Sequence, residues 1–211
     1  MLYWLTQTDR GLLLRILLSI SVLAILAVAD LKRKGQSATR WREYVVLVAC
    51  VAAAICYGVI NDQITSSISW EYFYYVKNLS TILGNRIPPD ATALHLQAVK
   101  VAAEATWWVG LILGVVLLYA NNPRPNLPRL SNRSIVSQLP LIAVFTGILA
   151  AAIGICGYLD WLPAGRQNFA DVIPSDSERA RRFLCTWGVH LGGYAGGAIG
   201  TLIAAVRILH L

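Results

Sequence analysis

Charge is what this chain has least of. Asp, Glu, Lys and Arg make up only 14% of its 211 residues, against roughly 25% in a soluble domain, while 56% are hydrophobic. That balance excludes an ordinary water-soluble globule and indicates a membrane protein. Acids are scarcer than bases, 11 Asp and Glu against 18 Lys and Arg, for a net charge of +7. The bases gather in loops beside apolar runs, so membrane topology accounts for them and nucleic-acid binding does not. The short signatures of familiar chemistry are also missing. There is no HExxH, CxxC, ExxH or GxSxG, and no phosphate-binding glycine loop, which removes the commonest hydrolase and redox motifs.

Long apolar runs are present in quantity. Five stand out, at 11–29, 44–60, 99–120, 137–158 and 186–209, each close to the ~20 residues that cross ~30 Å of hydrocarbon at ~1.5 Å per residue. They predict an all-α polytopic bundle of five transmembrane helices embedded in the lipid bilayer, a single membrane domain over 1–211 with an aromatic and polar loop at 61–98.

Loop charge orients this bundle. Lys32, Arg33, Lys34, Arg40 and Arg42 follow the first run, and Arg124, Arg129 and Arg133 follow the third. Both loops are expected in the cytoplasm. Loop 61–98 carries Asp62, Glu71 and Asp90 against Lys77 and Arg86, which suits the outer side and puts the N-terminus outside and the C-terminus inside. Arg179, Arg181 and Arg182 run against this pattern, with Asp171, Asp176 and Glu178 close by. Ala27-Val28-Ala29 resembles a signal-peptidase site, but cleavage there would leave both basic loops outside. A retained first helix is the favoured expectation.

In the last run Gly188, Gly192, Gly196 and Gly200 recur every four residues. Lipid is as apolar as Leu, so helices in a membrane associate through close backbone contact, which such a stripe permits. Gly110 and Gly114 repeat the spacing in the third run. Packing within one chain is favoured over a homo-oligomer seam, because five helices must first satisfy one another. His190, Tyr194, Gly197 and Thr201 share an arc roughly opposite the stripe, at ~100° per residue, and that arc suits the wall of a polar pocket.

Glu104 lies inside 99–120, where an ionisable group is costly and suggests a role. Pro88-Pro89-Asp90 resembles a helix start with Asp90 as N-cap, which sets Glu104 near the outer boundary, with Lys100 at i−4 as a local partner. Arg15, Asp62, Asp160 and His190 fall at the same depth on the other four runs. This one-sided layer predicts a shallow outward-facing pocket lined by Asp62, Glu104, His190 and Tyr194, with Glu71 folding over it and Arg15 as counter-ion. The alternative is a ring of boundary residues that face water.

Asp62, Glu71, Glu104 and His190 together form a hard, oxygen-rich set suited to Ca²⁺, Mn²⁺, Fe²⁺ or, less comfortably, Zn²⁺. A haem between His95 and His190 fits poorly, since His95 is expected ~13 Å above the depth of Glu104 and His190. Trp70, Tyr72, Phe73, Tyr74 and Tyr75 suit the membrane–water boundary. Cys50 and Cys56 are expected as buried apolar residues, and Cys156 and Cys185 leave a disulfide open.

The segments YGVINDQITSSISWEYF, 57–73, and EATWWVGLILG, 104–114, resemble a family of uncharacterised bacterial multi-pass membrane proteins. The resemblance implies a bacterial inner membrane and a four-helix core to which 11–29 is an N-terminal addition. It leads one to expect histidines at position 61 and near 76–80, where this chain has Asn61 and no His. Three functions follow, in order: an accessory or assembly subunit packing through its glycine faces, a membrane-embedded metal enzyme or sensor, and a small-solute or ion transporter.

Overall fold

The computed structural model describes residues 9–35, 40–122, 129–163 and 165–210. Arg124, and the side chain of Arg40, counted above in the basic loops, lie outside them. The described residues are helical, without strands: α1 (Asp9–Lys34), α2 (Arg40–Ile68), a single π-helical turn (Tyr72–Val76), α3 (Ser80–Leu83), α4 (Ala91–Ala120), α5 (Asn132–Val136), α6 (Leu139–Tyr158), α7 (Gly165–Asn168) and α8 (Ser177–His210). Among them four stretches are long and apolar enough to cross a membrane: Trp41–Ile68, Ala91–Ala120, Asn132–Tyr158 and Ser177–His210. The molecule is an all-α integral membrane bundle.

Four spans stand where the sequence suggests five. α1 occupies the first expected run but is not one of the four. It leans chiefly on α2 and leaves Leu17, Leu18, Ile20 and Ile25 exposed, so it contributes little to the core.

The expected loop also starts later than position 61. Its first residues form the last two turns of α2 because their polar side chains bond back to the helix or to a neighbour. Thr65 Oγ1 donates to the Asn61 carbonyl at 2.8 Å, Ser67 Oγ to that of Gln63 at 3.0 Å, and Gln63 Nε2 to the His95 carbonyl on α4 at 2.9 Å. Polarity here does not end the helix, since these side chains bond to backbone carbonyls of α2 or α4 rather than compete for the helix's own N–H groups. At the other edge of the loop, Asp90 Oδ1 accepts from Ala93 N–H at 2.9 Å and starts α4 at Ala91 as expected.

The spans pack as two antiparallel pairs, α2 with α4 and α6 with α8, with fewer contacts between pairs than within them. Glycine sets both close approaches. Along α8, a methyl group on Gly188, Gly192, Gly196 or Gly200 would meet Ile153, Leu149, Phe145 or Ile142 of α6 in turn. At Gly196 it would stand 2.6 Å from the Phe145 carbonyl oxygen. Gly110 faces Val51 and the Cys50 carbonyl of α2, and Gly114 faces Leu47. These faces are therefore covered within the chain, in line with the favoured reading of the stripe and against their use as a surface for other chains.

Two apolar clusters close the bundle. One joins Val46, Cys50, Leu117, Ile135, Ile142, Ala204 and Ile208. The other, at the far end of the spans, joins Tyr72, Phe73, Leu79, Leu94, Ala98, Phe183 and Leu184.

Candidate functional site

Between the two clusters, and between the two helix pairs, lies a cavity of about 110 Å³. Its walls are small and apolar, with Ala53, Ala54 and Gly58 on α2, Ala102 and Ala105 on α4, Ala143 on α6, and Gly193 and Gly197 on α8. Wide helix separation and short side chains together leave the space. Its polar groups are Tyr57, Asn61, Asp62, Lys77, Thr106, Thr146, His190 and Tyr194. The threonines are spent on their own helices: Thr106 Oγ1 donates to the Ala102 carbonyl at 2.7 Å and Thr146 Oγ1 to that of Ile142 at 2.7 Å.

The remaining polar groups have few partners. Asp62 is buried, accepts one long hydrogen bond from Asn61 Nδ2 at 3.4 Å, and lies 3.8 Å from His190 Nδ1. His190 is 9% exposed, and its Nε2 has no hydrogen-bond partner. Lys77 Nζ sits 6.0 Å from the centre of the Tyr72 ring and forms no ion pair or hydrogen bond among the described residues. Burial holds the Lys77 ammonium below the usual lysine pKa, and the nearby Asp62 carboxylate opposes that shift.

The aromatic run 70–75 is a lid over this end. Tyr72, Phe73 and Tyr74 are buried because one turn of π-helix, marked by Lys77 N–H bonding to the Tyr72 carbonyl at 3.1 Å, turns consecutive rings inward. Tyr72 stacks on His190 with ring centres 5.1 Å apart, and Phe73 meets the same imidazole edge-on at 5.9 Å. Burial also pushes the Tyr72 phenol up from its ordinary pKa, with Tyr194 and Asp62 adding to the effect.

The six residues expected to line one pocket divide into three sets. Asp62, His190 and Tyr194 line the cavity. Glu71 is buried in the lid, where Arg179 Nε donates to Oε1 at 2.7 Å and Ser69 Oγ to Oε2 at 2.8 Å. Arg179 also lies over the Trp70 ring, 5.6 Å from its centre. Glu104 is half-buried and pairs with Arg15 of α1 at 3.4 Å, outside the cavity wall. Asp160, from the same expected layer, pairs with Arg166 at 2.6 Å.

Among the described residues no three His, Cys, Asp or Glu side chains gather as a metal site needs. The expected metal set fails to converge because arginines hold Glu71 and Glu104 elsewhere. His95 does not line the cavity either; its Nδ1 lies 3.0 Å from Ser66 Oγ. The four cysteines are free.

Sequence reasoning missed Lys77, Tyr57 and Asn61 as wall residues. Fold and site together define a multi-pass helical membrane protein with a lidded cleft between two helix pairs. No protein-family model, curated protein or solved structure matches the chain.

Proposed function

We propose that this is a non-catalytic accessory protein of a bacterial inner membrane, which holds a ligand in the cleft rather than transforming it. α1 joins the four spans as a peripheral fifth, in keeping with its apolar run and exposed leucines. The lid end faces outward, in keeping with the basic loops at the opposite end. The family resemblance, with its four-helix core, belongs to the same reading. Association with other subunits would use outer surfaces of the spans, since the glycine faces are already covered.

The observation that carries the non-catalytic role is the neutralisation of Glu71 and Glu104 by Arg179 and Arg15, which leaves Asp62 and His190 without further carboxylates. Elemental analysis of detergent-purified protein is the test. Wild type, Asp62→Asn and His190→Ala are expected to carry the same substoichiometric metal. One equivalent of metal in wild type that is lost in both variants would overturn the proposal. A membrane enzyme using Asp62 and His190 as an acid–base pair is the second reading, favoured by their 3.8 Å approach.

A further inference from the structure

The polar end of the cleft brings together hydrogen-bonding groups that the protein leaves unfilled. His190 Nε2 is buried without a partner. Asp62 has only its long bond from Asn61. The Lys77 ammonium and the hydroxyls of Tyr57 and Tyr194 make no hydrogen bond among the described residues although all three residues line the space. A buried nitrogen is costly where nothing meets it, and a cavity ringed by such groups is a place for a molecule that meets several at once.

We infer that the cleft binds a small uncharged amphiphile, with a hydroxyl-type polar end among Asp62, Lys77 and His190 and an apolar body between the two helix pairs. This rests on the ligand-holding reading above and gives it a ligand class. Three observations select that class.

The first is charge. Asp62 and Lys77 both line this end of the cavity, so the site already holds one acidic and one basic group. A carboxylate or ammonium head would enter with no free counter-charge, which is costly away from water. A hydroxyl both donates and accepts, and so can serve the carboxylate on one side and the ammonium or phenols on the other. The second is lining. Below the polar groups the wall is alanine, glycine and branched aliphatic residues, with threonine hydroxyls turned to their own backbones, so the body of the ligand is apolar. The third is size. The cavity of about 110 Å³ is somewhat smaller than the ~150 Å³ apolar cavity known to admit benzene, so it takes a short chain or a small ring. Ala143 and Tyr194, both lining the cavity, are exposed on the flank of the bundle and mark a way in from the side.

Photolabelling of the full purified chain tests this, with a diazirine-bearing short-chain alcohol as probe and labelled residues located by mass spectrometry. Saturable labelling of Asp62, Tyr57 and Tyr194 is expected. Excess 1-pentanol should displace it, and equal concentrations of pentanoate or pentylammonium should not. Ala105→Leu, which fills the slot away from the polar end, is expected to lower labelling by about tenfold, equivalent to ~1.4 kcal/mol, with elution volume and helicity unchanged. Should that variant not fold, Ala143→Leu at the exposed rim serves in its place. Unsaturable label spread over the outer faces overturns the inference, as does displacement by either charged analogue as readily as by pentanol. Metal content measured on the same samples separates the two claims. Saturable labelling of a stoichiometric metalloprotein defeats only the non-catalytic role, and metal-free protein without saturable labelling defeats only the ligand class.

Discussion

Lys77 shows how far one residue's meaning depends on where the chain folds it. In sequence it is a loop charge, counted only for orientation; in the structure the lid carries it into the wall of the cleft. Its lowered pKa has a definite sign in stability. Between that value and the ordinary lysine value near ~10.5 the unfolded chain binds more protons than the folded one, so stability rises with pH across that interval. Followed in detergent from about pH 8 to about pH 10, the melting temperature of wild type should gain on that of Lys77→Met. A constant gap would show that the ammonium is not desolvated. Glu104 is the converse case. Its unusual setting was legible and Arg15 was expected as a counter-ion, but not that the two would pair outside the cavity wall. Arg15 lies 89 positions away, and which faces of α1 and α4 meet is decided by packing rather than by any local spacing.

At the scale of the helix, spacing was the better guide. Intervals of four in α8 announced a close helix contact, and Asp90 announced the start of α4. What spacing left open was the identity of the neighbour, because a glycine stripe fits any smooth helix face. The structure assigns it to α6, and the contrast among glycines makes that checkable. Gly192→Ala drives a methyl group into the Leu149 carbonyl and Ala150 and is expected to cost about 1–3 kcal/mol, as overpacking does. Gly147→Ala, on α6 with nothing within 4 Å, should be neutral or stabilising by up to ~1 kcal/mol. Equal melting temperatures for the two variants would count against the α6–α8 seam. The end of α2 was misjudged because Asn61–Ile68 looks like loop by polarity, although its side chains serve the helix. That Tyr72, Phe73 and Tyr74 turn inward was not legible, because composition does not reveal a π-turn.

For the molecule as a whole, the bundle was legible, but of the cleft only Asp62, His190 and Tyr194 were. A cavity arises from the separation of two helix pairs, a quantity that belongs to neither pair alone. The lid that closes it is fastened to α8 by the ion pair of Arg179 with Glu71 and by the rings of Tyr72 and Phe73 against His190. Arg179→Gln should strand a buried carboxylate. The expected loss is about 1–3 kcal/mol, at the low end because the guanidinium is half-exposed, with faster hydrogen exchange over residues 70–76. Adding Glu71→Gln should recover part of it, and no recovery would mean that Arg179 acts through Trp70 instead. That contact also has a consequence for the order of events during synthesis. α2, the lid and α4 leave the ribosome first, and Glu71 must wait for a guanidinium encoded 108 residues later. Until α8 emerges the segments before it have a lid but no catch, so closing the cleft has to wait for the helix that also supplies its opposite wall.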